Sequence, residues 1–239
     1  MKPFNQNGFA LAIMVPLLPV ILAFGIMSYA ALGFMQIDQK FTHACRSGAL
    51  TGQEKAGKQI EALLKLNPKA QKLIQSLKQT EQALLAAAGN PVATAAAAAR
   101  IALITAAQSV LRVRQEQIIL QGNLALQLAQ QKTASRLRQV RAEMNSYDSL
   151  FTSQTMTSSS LAPRLAVTPD GPDIAPTYRT LPDIENRQAL VQSWQYQLRT
   201  PRHLRGFLNG DFSFKKSCSV TVTAKGNSWM PKIQRDRFL

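Results

Sequence analysis

From Phe9 to Met35 the chain runs for 27 residues without a charged side chain, beginning eight residues from its start. No other feature restricts the fold as strongly. As a helix this run reaches about 40 Å at 1.5 Å per residue, more than the ~30 Å hydrocarbon core of a bilayer. The apolar region of a secretory signal is about 7 to 15 residues long and ends at a small-residue cleavage site. Ser28-Tyr29-Ala30 offers only a weak version of that site. The run therefore reads as a transmembrane helix over 9–35 behind a short leader, 1–8, with a cleaved signal and a pilin-type stalk as the other readings. Pro16 and Pro19 sit near its entry, where a break in the helix is best tolerated. Gly25, Ser28 and Gly33 give it a side small enough for close helix packing.

Charge says where such a chain adheres, not what it catalyses. The formal charge of +15 is spread out, at about +9 over residues 36–146 and about +5 over 147–239. A spread of this kind suits either adhesion to an anionic polymer, nucleic acid or lipid, or a merely solvated basic surface. The candidate polyanion contacts are Arg136, Arg138 and Arg141, then Arg199, Arg202, Arg205, Lys215 and Lys216. Orientation signals conflict. Lys2 favours an inside N-terminus, whereas Lys40, Arg46, Lys55 and Lys58 follow the span and would hold the body in the cytoplasm by the positive-inside rule.

The stretch "NGFALAIMVPLLPVILAFGIMSYAALG", followed by "QIDQKFTHACRSGALTGQ", resembles the N-terminus of the TadE/TadG-like, pseudopilin-like proteins of bacterial tight-adherence pilus assembly. The matching positions are Gly8, Ala10, Leu11, Pro16, Leu17 and Leu18, then Gln39, Ala44, Gly48, Ala49 and Leu50, and they cover about 50 residues. The resemblance implies a single-pass helix in the bacterial inner membrane with the body in the periplasm or beyond. Gly8-Phe9 resembles the type IV prepilin junction, which implies processing after Gly8. The fifth position after that junction is Ile13 where the prepilin pattern has Glu, so the charge that pairs with a neighbouring amino terminus is missing.

Past the span, helix formers dominate residues 36–146. Asn67-Pro68 breaks the first segment, because the residue before proline is pushed out of helical geometry. A second helix places Leu73, Ile74, Leu77, Leu84 and Ala88 on or near one face, and Gly89-Asn90-Pro91 stops it. A third runs from about Val92 to Ser146. Ile104, Leu111 and Ile118 recur every seven residues there, with Leu124, Leu128, Leu137, Val140 and Met144 continuing the stripe; Arg114 and Gly122 interrupt it. This predicts a helical hairpin or loose coiled-coil stalk. Its alanine run resembles a second span in length, but Arg100 and Arg112 limit the charge-free stretch.

Residues 147–186, rich in Ser, Thr and Pro, read as a linker. Residues 187–239 read as a small β-containing region: "DFSFKKSCSVTVTAK" alternates as a strand does, and Asn209-Gly210 marks a turn. Trp194, Tyr196, Phe207, Phe212, Phe214 and Trp229 gather here, either to stack on bases or sugars or to form the region's own core. Cys45 and Cys218 suit one disulfide if the body lies outside the cytoplasm and two free thiols if it lies inside.

The fold class that follows is mainly α, with one transmembrane helix, a helical stalk and a small β-containing C-terminal element. No phosphate-binding loop, nucleophile elbow or metal-ligand spacing occurs, so neither enzyme activity nor a cofactor is expected. The expected role is a membrane-anchored structural component of a pilus-assembly, secretion or surface-attachment apparatus, working with the membrane, with other apparatus proteins or in a homo-oligomer. A membrane-tethered basic module holding nucleic acid or anionic lipid is the alternative.

Overall fold

Residues Gln6–Leu64 form one unbroken 59-residue helix, α1, about 88 Å long at 1.5 Å per residue. In the computed structural model, residues 6–145, 154–158, 163–198, 212–226 and 228–234 are described. The helix passes through Pro16 and Pro19, each of which removes one donor from the backbone ladder. Its two halves meet different surroundings. Val15, Leu17, Leu18, Val20, Ile21, Leu22, Phe24, Tyr29, Leu32 and Met35 are exposed, whereas Phe41, Cys45, Ala49, Ala56, Ile60 and Leu63 are buried.

Local chemistry ends each helix where the sequence indicates. Helix α2, Asn67–Ala86, opens with a proline in its first turn, where the missing N–H costs nothing. Helix α3, Pro91–Asn145, is capped by Asn90, whose Oδ1 accepts from the Val92 and Ala93 amides at 3.1 and 3.3 Å. Pro91 stands in its first turn. Together these turn the chain back, so that α3 runs antiparallel to α1: Gly52 faces Ala129, Gly48 faces Thr133 and Lys40 reaches Glu143. Helix α2 covers the start of α3 around Ala70 and Leu111, with Leu66 and Leu73 beside them.

The buried face of α3 is Gln108, Leu111, Gln115, Ile118, Gly122, Leu126, Ala129, Thr133 and Leu137. Its mean spacing is about 3.6 residues, the period of a straight helix, and not the 3.5 of a supercoil. A seven-residue repeat therefore drifts off this face. Leu124 and Leu128, expected on the buried stripe, are exposed, and Leu126 is buried in their place. Gly122 sits at the changeover, where a side chain would meet Leu165.

Strands β1 (Gln154–Ser158), β2 (Val167–Asp170) and β3 (Thr177–Thr180) follow, then a one-turn helix α4 (Ile184–Arg187) and strands β4 (Leu190–Leu198), β5 (Phe212–Lys225) and β6 (Ser228–Gln234). An antiparallel sheet takes the order β1-β4-β5-β6, and β2 pairs with β3 in a separate hairpin. The chain is thus mainly helical, with a long apolar helix and a small C-terminal sheet. Gly226, at φ 61°, makes the tight turn between β5 and β6. Asn209-Gly210 lies outside the described residues.

The region 147–186, read as a linker or a loosely attached loop, is paired and packed over much of its described part. Strand β1 pairs with β4, from Gln154↔Tyr196 to Ser158↔Gln192, and Leu165, Ala166 and Ala175 are buried against the helices. Short strands of Ser and Thr bury little by themselves and gain order from non-local partners.

The central core joins α1 to everything else: Ala49, Ala56 and Ile60 of α1 pack with Leu126 and Ala129 of α3, Leu165, Leu190 of β4, and Val220 and Val222 of β5. A polar clasp crosses it. Buried Gln53 donates to the Gln188 and Val220 carbonyls, Gln188 Nε2 donates to Gln53 Oε1 at 3.2 Å, and Gln188 Oε1 accepts from the Ala166 amide at 3.1 Å. Four separate segments are fixed by two amides, which suits groups that would be costly if left unpaired.

Close approach is what brings α1 and α3 together. A Cβ at Gly52 would collide with the Ala129 methyl, and one at Gly48 with the Thr133 hydroxyl; at Gly57 it would lie 2.9 Å from the Trp229 carbonyl of β6. Gly52→Leu should therefore destabilise the body by about 1–3 kcal/mol through overpacking. Overpacking outweighs the helix-propensity gain of about 1 kcal/mol, because the obstructing atoms belong to a short, fixed side chain. Gly25→Leu, with nothing within 4 Å, should not lower the denaturation midpoint. Thermal and urea melts of the two variants check this.

Candidate functional site

The helix–sheet junction holds the most closely packed chemistry-bearing residues. Cys45, in the fully buried middle of α1, is disulfide-bonded to Cys218 in the centre of β5, with Cα atoms 6.5 Å apart. Alternation along β5 turns Cys218, Val220 and Val222 toward α1. Around the disulfide pack Phe41, Leu137 and Trp194, with Ile37, Ala44 and Val140 at the margin. The Phe41 and Trp194 rings stack at 5.8 Å with 26° between their planes. Of the two uses open to the C-terminal aromatics, Trp194 serves the core, and Trp229 is half-buried against it.

The junction has a basic rim. Arg136 donates to the Ser47 hydroxyl at 2.7 Å, and Lys216 pairs with Asp38 of α1. Arg138, Arg141 and Lys215 are exposed. All five of these cations lie at the level of residues 38–47 of α1, the end of the body from which the apolar half of the helix emerges. Arg199, Arg202 and Arg205 lie outside the described residues. Gly8 and Phe9 are within the first turns of α1, of which the backbone alone is described. Gly25 and Gly33 meet no neighbouring atom within 4 Å, and Ser28 is half-buried.

At the far edge of the sheet, Lys232 of β6 contacts Glu185 of α4 at 3.0 Å. Hydrogen bonds from Lys232 and from the Thr223 hydroxyl hold the Glu185 carboxyl below the usual carboxylate range. The Glu185 carbonyl also accepts from Gln234 at 3.1 Å and from Thr221. A depressed carboxylate stabilises the fold at neutral pH, and that contribution is lost as acid protonates it.

A shallow open groove of about 740 Å³ runs between α1 and α3 where the glycines bring them together, lined by Thr51, Lys55, Leu124, Leu128 and Lys132 among others. Its only charged groups are lysines. Among the described residues, no cluster of three or more His, Cys, Asp or Glu side chains is placed to hold a metal ion.

Sequence reasoning singled out Gly25 and Gly33 for helix packing and overlooked Gly48, Gly52 and Gly57 in that role. The signal was present: Gly48-x-x-x-Gly52 puts two glycines one turn apart on one face. Gln53 and Gln188, 135 positions apart, carry no local signal at all.

One helix among the described residues is long and apolar enough to cross a membrane by length and composition. It lies in α3 over Pro91–Glu143, with a mean hydropathy of 1.4 and 17% burial in its most apolar window. The chain matches no protein-family model, no curated protein and no solved structure.

Two outcomes follow. Replacing both Cys45 and Cys218 with serine, or reducing the intact chain, should lower stability by about 2–5 kcal/mol, since the bond closes a very long loop, as read from the urea midpoint. Glu185→Gln should cost less than about 1 kcal/mol at neutral pH, the scale of an exposed ion pair. That difference should shrink as the pH falls through the ordinary carboxylate range and vanish only below the depressed value of the Glu185 carboxyl.

Proposed function

We propose that the chain is a single-pass, membrane-anchored structural component of a pilus-assembly, secretion or surface-attachment apparatus. The observation that carries this reading is the division of α1. Its first half stands clear of the body with large apolar side chains exposed, and its second half is the spine on which the body is built. Water around the free half would be strongly unfavourable, whereas a bilayer removes that apolar surface at no cost in charge.

The free half of α1 is the better candidate for the span than α3. No charge interrupts Phe9–Met35, while α3 carries Arg100, Arg112, Arg114 and Glu116. The basic rim at residues 38–47 supports the same placement, because it puts cations at the height of lipid headgroups. Phospholipid phosphates are then the polyanion met by Arg136, Arg138, Arg141, Lys215 and Lys216. The disulfide supports a body on the oxidising side, periplasmic or extracellular. The function is positional: α1 anchors, the α2–α3 hairpin projects, and the disulfide locks the sheet to the anchor helix.

Two measurements test this. Under alkaline carbonate extraction the full chain should remain with the membrane, and a chain lacking residues 9–35 should be released. With Lys72→Cys, an exposed site on α2, a membrane-impermeant maleimide should label intact cells stripped of outer membrane. Carbonate release of the full chain would overturn the anchor, and labelling only after lysis would overturn the exported body.

A further inference from the structure

We propose that α3 carries a self-association seam: a second copy of this chain packs its own α3 in parallel along a heptad stripe that the monomer leaves uncovered. The stripe is distinct from the buried face of α3. Taking Leu103 as position a, the a and d positions from Val92 onward are Val92, Ala96, Ala99, Leu103, Ala106, Val110, Val113, Gln117, Leu120 and Leu124. Every one of them is exposed, and Leu103 and Val110 are each 72% exposed. Position 110 lies two residues, about 200°, around the helix from buried Gln108, so the seam points away from α1 and α2 until its end, where Leu124 borders the groove beside α1.

Its period separates the two faces. The buried face keeps to about 3.6 residues per repeat from Gln108 to Leu137, while the exposed stripe keeps the strict 3,4 alternation of a coiled coil for more than four heptads. A monomer gains nothing from a second apolar stripe on the solvent side of a 55-residue helix.

Three features select a second copy as the occupant. Gln117 is the one polar residue among these a and d positions. In a parallel pair, a positions face their own counterparts, so each Gln117 meets the other and its amide is satisfied; an antiparallel or apolar partner would leave it unpaired. The flanking positions agree. Parallel pairing sets Ala95 opposite Arg100, Ala102 opposite Ala107, Ser109 opposite Arg114 and Glu116 opposite Gln121, with no like charges opposed despite the strongly basic chain. A lipid surface would want a broad apolar face, and this seam is narrow, with Gln117 in its middle and Arg114 and Glu116 at its edges. The shared direction of the two copies rests on the anchoring proposed above; the seam itself does not.

The test uses the full chain in detergent, so that it is independent of membrane retention. Val110→Cys, Gln117→Cys and Leu124→Cys, each made singly, should give on mild oxidation a species of doubled mass that reductant reverses, and Lys72→Cys should not. Leu120→Lys should abolish the Gln117→Cys cross-link without moving the melting temperature of the body. Gln117→Leu should strengthen association and admit further oligomeric states, since the residue that restricts register is gone. A monomer by light scattering, or cross-linking at Gln117→Cys no stronger than at Lys72→Cys, would overturn the seam. Cross-linking of Leu103→Cys to Leu124→Cys between copies, with none at Gln117→Cys, would overturn the parallel direction. Quenching of a fluorophore at Val113→Cys by lipid-borne quenchers in vesicles, without any cross-linked dimer, would assign the stripe to the bilayer instead.

Discussion

The contact of α1 with α3 at Gly48 and Gly52 is the constraint on which the remaining structure rests. Two glycines one turn apart let Ala129 and Thr133 sit against the α1 backbone, where any larger residue would hold the helices at an ordinary interaxial distance of 8–10 Å. Once that pair is close, the next layer follows. Ala49, Ala56 and Ile60 are left as a flat apolar surface for Val220 and Val222 of β5, and Gly57 admits the backbone of β6. The helices are thus packed through small residues and the sheet through branched ones.

Polar groups inside this core act as fasteners more than as chemistry. Gln53 and Gln188 satisfy each other and the backbone of two further segments, so the arrangement is specific in a way that an all-aliphatic contact would not be. Asn67 does the same at the other end of the body, donating to the Tyr178 carbonyl at 2.7 Å and accepting from its amide at 2.9 Å. Gln115 reaches the Pro176 carbonyl at 2.9 Å. In each case a helix holds a loop or strand edge that has few apolar residues of its own. That is how a segment rich in Ser, Thr and Pro becomes ordered. The disulfide adds a covalent tie between α1 and β5 beside the apolar contacts that already join them.

The parts of the fold legible in the sequence are those whose cause is local. Pro68 and Pro91 mark where helices start because proline fits a first helical turn, where its missing N–H has no intrahelical partner to lose. The alternation around Cys218 shows as a strand because successive side chains of a strand point to opposite faces. The seven-residue spacing of Ile104, Leu111 and Ile118 located the buried face of α3, but Leu124, six residues past Ile118, stands about 120° around the helix from it and is exposed with Leu128. Strand β1 was illegible for a different reason: it is a strand only because β4, nearly forty residues later, pairs with it.

By itself the sequence determined that an apolar helix of membrane length stands at the start of the chain, that three helices follow one another with proline-marked breaks, that a strand-forming region closes the chain and that its charge is basic throughout. These are consequences of composition and of spacing over a few residues. Tertiary structure decided which half of α1 is covered, that Gly48 and Gly52 rather than Gly25 and Gly33 make the close helix contact within the chain, that Cys45 meets Cys218, and that α3 has one apolar face spent on the core and another left open. Each of those depends on residues brought together from far apart in the sequence, and burial is a property of the neighbours a side chain acquires, not of the side chain alone.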